Sequence, residues 1–92
     1  MSGSIPIISV SNQADASLLL CDPAVAWQRL LLPGQHVSVR STGLRLWVRT
    51  AAGEWGLAQC LRGVGAVAIG THHLQWLRQK ATRCLRRMTT PS

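Results

Sequence analysis

Apolar and polar residues alternate most regularly over His36-Val37-Ser38-Val39-Arg40 and Leu44-Arg45-Leu46-Trp47-Val48-Arg49. Period-2 alternation of this kind marks strands with one buried face. Ser41-Thr42-Gly43 between the two runs has turn composition, so they read as a hairpin. A two-residue turn at Thr42-Gly43 pairs Arg40 with Arg45, Val39 with Leu46, Ser38 with Trp47 and Val37 with Val48. Directly opposed residues share a face, so this register collects Val37, Val39, Leu46 and Val48 on one side. A three-residue loop would pair Arg40 with Leu44 and mix the faces, and a one-residue slip turns every side chain over. The even register is therefore the expected one. It displays His36, Ser38, Arg40, Arg45, Trp47 and Arg49 outward. Like charges opposed across a hairpin are destabilising, so the Arg40–Arg45 pair would favour an anionic partner.

The remaining elements are shorter. Ile5-Pro6-Ile7-Ile8-Ser9-Val10 predicts an edge strand, because Pro6 removes a ladder donor, and residues 11–15 predict a loop. Ser17-Leu18-Leu19-Leu20-Cys21 is an apolar run closed by the Asp22-Pro23 turn. Residues 24–32 fit two patterns equally: a short helix capped by Asp22 with Pro23 in its first turn, or a strand closed by Pro33-Gly34. Ala51-Ala52-Gly53-Glu54 is a turn, and residues 55–60 and 64–69 read as further strands. After Gly70, Thr71 is a plausible N-cap for a helix over about 72–88, with Pro91 limiting its extension. At about 100° per residue, Leu74, Leu77, Ala81, Cys84, Leu85 and Met88 form one stripe. Trp76, Lys80, Arg83 and Arg87 fall together away from its centre.

Length and composition narrow the class. Ninety-two residues with 47% hydrophobic content suit one small domain that buries roughly 60–65% of its unfolded surface, with residues 1–4 and 89–92 as flexible ends. Charged residues make up 14% of the chain, below the usual level of about 25%. With a mean hydropathy of +0.14, that argues against intrinsic disorder. The charge is one-sided, with ten Lys+Arg against three Asp+Glu, a net of +7 and a pI near 11.5. Three acids (Asp15, Asp22, Glu54) are too few for most carboxylate chemistry or a calcium cage. The longest charge-free run, residues 63–77, contains three glycines and two histidines and is no membrane span. The N-terminus lacks signal-peptide features. Three widely spaced cysteines, Cys21, Cys60 and Cys84, make no disulfide framework. The expected setting is the reducing cytoplasm.

The side chains bear on four chemistries. Arg40, Arg45, Arg49 and Trp47 on the hairpin, and Trp76, Lys80, Arg83 and Arg87 on the helix, each combine cations with an indole. Arginine presents a fork of donors to phosphate, and an exposed indole stacks on bases for about 1–3 kcal/mol each. The same residues also suit an ordinary solvated face, since cations near a helix C-terminus are favoured by the helix dipole. Cys60, His72, His73 and Cys84 are legitimate zinc ligands but lack the short paired spacing of structural sites, so no metal is expected. A histidine acting as base toward Cys60 or a serine has no supporting motif, and no enzyme is expected. Gly63-Val64-Gly65-Ala66-Val67-Ala68 fits a loose dinucleotide fingerprint, but the acid required some 20 residues later is missing, because none follows Glu54.

Over residues 31–58, about a third of the chain, the order of features resembles a Src-homology-3-like small β-barrel. Pro33-Gly34-Gln35-His36-Val37 is similar to that family's turn into a strand, Leu46-Trp47-Val48-Arg49 to its tryptophan-bearing strand, and Gly53-Glu54-Trp55-Gly56-Leu57 to the following turn. A second frame sets Gly53-Glu54-Trp55 on the tryptophan strand and Gly63-Val64-Gly65 on the later turn. The resemblance implies a barrel and offers Trp47 as a groove residue. The tyrosines and proline of a polyproline-binding groove have no counterparts: the chain has no Tyr or Phe, and Ala58 or Ala68 stands where that proline would fall.

The expectation is an α+β domain, a small β-rich barrel or roll of about five strands with a C-terminal amphipathic helix. Its expected function is non-catalytic binding of nucleic acid through Arg40, Arg45, Trp47, Arg49, Trp76, Lys80, Arg83 and Arg87, without cofactors. The alternative is a protein-interaction module, such as a small inhibitor or adaptor docking on an acidic protein surface. No membrane partner is expected, and an exposed strand edge leaves a homodimer open.

Overall fold

The computed structural model describes residues 4–89, with side chains described as far as Arg86. In chain order the elements are β1 (Ile7–Gln13), β2 (Leu18–Asp22), β3 (Trp27–Leu31), β4 (His36–Arg40), β5 (Leu44–Arg49), β6 (Trp55–Leu61), β7 (Ala66–Gly70) and α1 (Thr71–Thr89). They form a three-stranded sheet, β4-β1-β7, and a four-stranded sheet, β3-β2-β5-β6. The domain is a β-rich α+β fold with a C-terminal helix. The expected barrel or roll of about five strands is corrected to seven strands, among the described residues, in two sheets that do not close into a barrel.

The alternation places faces as anticipated. Ile8 and Val10 of β1, Leu44, Leu46 and Val48 of β5, and Ile69 of β7 are all at most 1% exposed. They join Leu18, Leu20, Leu31 and Leu61 in one core, each such side chain contributing about 1.5–3 kcal/mol. On α1, Leu74, Leu77 and Ala81 are buried at the spacing of a single helical face. Leu85 and Cys84 are half-buried at its border. Met88, which belonged to the same expected stripe, and Arg87 lie beyond the described side chains, as residues 1–3 and 90–92 lie outside the described chain.

The hairpin expected between the two best alternating runs does not form. β4 pairs antiparallel with β1, placing Arg40 opposite Ile7. β5 lies in the other sheet, where Arg45 is opposite Cys21 and Cys60. Ser41 makes the corner. It is 2% exposed; its N–H donates to Pro6 O at 3.0 Å, its Oγ accepts from Gly43 N at 3.0 Å and its hydroxyl donates to Gly43 O at 2.9 Å. With its polar groups satisfied locally, the chain crosses between sheets instead of folding back. Arg40 and Arg45 are kept apart, so the like-charge cost of the hairpin never arises.

Two further expectations change. β1 is the central strand of its sheet rather than an edge; Pro6 precedes its first residue, so no ladder donor is lost. Residues 24–32, equally compatible with helix, contain strand β3, paired with β2 from Leu18↔Leu31 to Asp22↔Trp27. Asp22 stabilises that turn from inside, its Oδ1 accepting from Ala24 N at 3.1 Å and its carbonyl from Val25 N at 3.3 Å. At the next turn Gln35 N donates to Leu32 O at 3.0 Å and Gly34 sits at φ 86°. This is a type II turn, with Pro33 and Gly34 in the positions that favour them.

Asn12 ties β1 to this region. It is fully buried; its Nδ2 donates to Ala16 O and Leu31 O, both at 2.9 Å, and its Oδ1 accepts from Ala14 N at 3.0 Å. Its backbone N–H donates to Gln35 O and its carbonyl accepts from Gly34 N, each at 2.8 Å.

Candidate binding groove

Seven of the eight proposed contact residues have described side chains, and these seven do not converge. Arg40 lies in the three-stranded sheet, exposed, its Nη1 donating to Ile5 O at 3.5 Å. Arg45, Trp47 and Arg49 share the outer face of β5 in the four-stranded sheet. Trp47 is only partly exposed, and its Nε1 is buried without a hydrogen-bond partner. Leu30, Leu19, Trp47 and Leu57 stand opposite one another in turn across the four strands, so this indole belongs to an apolar row on the sheet. Arg49 is engaged locally: its Nη1 donates to Gly53 O at 2.8 Å and its guanidinium lies 4.9 Å from the Trp55 ring centroid.

The helical group is better assembled. β6 is the terminal strand of its sheet, and α1 packs beside it on the core side. Gly56 makes that approach possible: a Cβ there would lie 2.9 Å from Ala81 Cβ and 3.2 Å from Ala81 O. Between strand and helix runs an open groove of about 810 Å³, lined on β6 by Leu57, Ala58, Gln59 and Cys60 and on α1 by Trp76, Lys80, Arg83 and Cys84. Trp76 is 50% exposed. The Lys80 ammonium sits 4.5 Å from its ring centroid, and the His73 ring is tilted against it at 5.9 Å. Arg83 Nε donates to Gln79 O at 3.4 Å.

The strand side of the groove was not anticipated. A register shift at Leu46/Trp47 leaves Ala58 without an opposite residue, since Leu46 faces Gln59 and Trp47 faces Leu57. A bulge of this kind re-aims side chains. Here Gln59 lines the groove with its Oε1 buried and unpartnered. No periodic signal in the sequence marks this.

Of the groups weighed for metal or acid–base work, Cys60 is exposed and Cys84 half-buried, and both line the groove. Among the described residues no group of three or more His, Cys, Asp or Glu is placed to hold a metal ion. Cys21, on the outer face beside Arg45, has its thiol pushed above the ordinary value by burial, partly offset by the Arg45 charge. Among the described residues no helix is long and apolar enough to cross a membrane. Comparisons with protein-family models, curated proteins and solved structures found no match to the chain.

Proposed function

We propose that this protein is a non-catalytic interaction module that docks on an acidic protein partner through the groove between β6 and α1. The observation that carries the reading is the pairing of half-exposed Trp76 with Lys80 and Arg83 around a groove with no acidic lining residue. Tryptophan and arginine are enriched at protein interfaces, and a large indole beside a cleft is the usual anchor of one. Trp47 is part of an apolar row across its sheet, while Trp76 keeps half of its surface exposed beside the Lys80 ammonium.

Nucleic-acid binding stands as the second reading, favoured by Arg78, Arg83 and Arg86 around a smaller depression between α1 and Ala51 that also has no acid in its lining. One titration separates the two. A labelled peptide of alternating glutamate and valine and a labelled oligothymidylate of equal charge are followed by fluorescence anisotropy. The proposal expects the peptide to bind, Lys80→Glu with Arg83→Glu to abolish binding, and the oligonucleotide to compete poorly at physiological salt. Tighter oligonucleotide binding, with log affinity falling by about 0.7 per phosphate per log unit of salt, would transfer the site to nucleic acid.

A further inference from the structure

We infer that the partner enters this groove as an extended segment that adds a strand to β6. The inference rests on the reading of the groove as a protein-docking site and specifies how it is used. As the last strand of β3-β2-β5-β6, β6 has backbone N–H and C=O groups on its outer side with no strand partner among the described residues, in a run whose alternation shifts once, at the Ala58 bulge. Natural edges are commonly protected by charged residues or proline. β3 and β4 carry Arg29 and Arg40, whereas β6 and β7, the other two terminal strands, carry neither a charge nor a proline; of these two, β6 is the one flanked by a groove lined with Lys80 and Arg83.

The groove follows this edge. Its strand wall is the continuous stretch of residues 57–60, which at about 3.3 Å per residue spans roughly 13 Å. Strand addition uses main-chain hydrogen bonds for affinity and pockets for alternate side chains for specificity. The helical wall supplies such a pattern, with Lys80 and Arg83 for acidic side chains and Trp76 and Cys84 with Leu57 for apolar ones.

Charge selects the occupant. A second copy would bring its own +7 and a second Lys80 and Arg83 to the same edge. The three acids of this chain are elsewhere: Asp22 is buried in the β2–β3 turn, and Asp15 and Glu54 are exposed in other turns. An acidic segment alternating with apolar residues meets both the cations and the free edge.

The test uses the full chain and three versions of the glutamate–valine peptide: unmodified, and N-methylated on one or the other alternate set of amides. In an added strand only one set points at β6. That version should lose about tenfold or more in affinity, as expected for two or three missing hydrogen bonds, while the other stays within about twofold of the parent. Amide exchange at residues 57–60 should slow when the parent peptide binds. Equal binding by all three versions, or equal loss by both modified ones, would overturn strand addition. If all three bind equally and still depend on Lys80 and Arg83, the acidic-partner reading survives. If none binds, both fall. A protein that sediments as a dimer with those amides already protected would assign the edge to a second copy and overturn the proposed occupant.

Discussion

Gly56→Ala tests whether α1 closes on β6 as described, and so whether the groove has its helical wall. The added methyl would sit 2.9 Å from Ala81 Cβ, 3.2 Å from Ala81 O and 3.3 Å from Leu85 Cδ1, where carbon atoms prefer about 3.5–4.0 Å. The helix cannot easily retreat, because Leu74, Leu77 and Ala81 on the same face are at most 1% exposed. Overpacking a core in this way costs typically 1–3 kcal/mol. Replacing a strand glycine by alanine ordinarily gains about 0.5–1 kcal/mol, so the net loss should centre near ~1 kcal/mol, with an upper bound of about 2.5 kcal/mol. In a domain of this size the central value lowers Tm by roughly 4–8 °C, read by circular dichroism. Gly65→Ala is the matched control: nothing lies within 4 Å of a Cβ there, and Tm should hold or rise slightly. A double-mutant cycle with Ala81→Gly removes the shortest of the three close contacts and should show favourable coupling of at least about 0.5 kcal/mol, although Ala81→Gly alone costs about 1 kcal/mol in the helix. An unchanged Tm for Gly56→Ala, together with zero coupling, would refute the close approach of α1 to β6.

Four shorter predictions concern the scaffold and its thiols. Asn12→Ala strands one buried and one part-buried carbonyl and one buried N–H, so denaturant unfolding should show a loss of about 2–4 kcal/mol; a loss under about 0.5 kcal/mol would contradict that network. Ala26, at φ 53°, is the one non-glycine residue with positive φ among those described, so Ala26→Gly should gain up to about 1 kcal/mol by releasing a left-handed alanine. Cys60, exposed, should alkylate before Cys21, whose pKa is raised by burial. The sign for stability follows from linkage: the Cys21 contribution is intact below the unfolded thiol's pKa, ordinarily 9.0, and is lost as pH climbs from there through the higher folded value. Cys21→Ser should therefore flatten the alkaline fall in Tm.

Much of the fold was legible because burial of one face imposes a period on the chain. Leu44, Leu46 and Val48, and Leu74, Leu77 and Ala81, are buried where strand and helix periods put them. Partner choice was not legible, because alternation tells a strand which way to face and not which neighbour to pair. β4 and β5 carry the clearest alternation in the chain yet lie in different sheets, parted by a serine corner whose hydrogen bonds to Pro6 and Gly43 leave no periodic trace. The candidate site divides the same way. Trp76, Lys80 and Arg83 meet because helical spacing alone brings them together. The contribution of residues 57–60 depends on a bulge and on the final position of β6 in its sheet, both long-range outcomes.

The claim that β6 and α1 form a docking groove for an acidic protein segment is tested most directly by mapping the glutamate–valine peptide onto the isotope-labelled protein by NMR. The account predicts shift changes at the amides of residues 57–60, at the Trp76 indole and around Lys80 and Arg83, with His36, Ser38 and Arg40 on the other sheet unmoved. Shifts centred on His36, Ser38 and Arg40, or no shifts at all at saturating peptide, would contradict it.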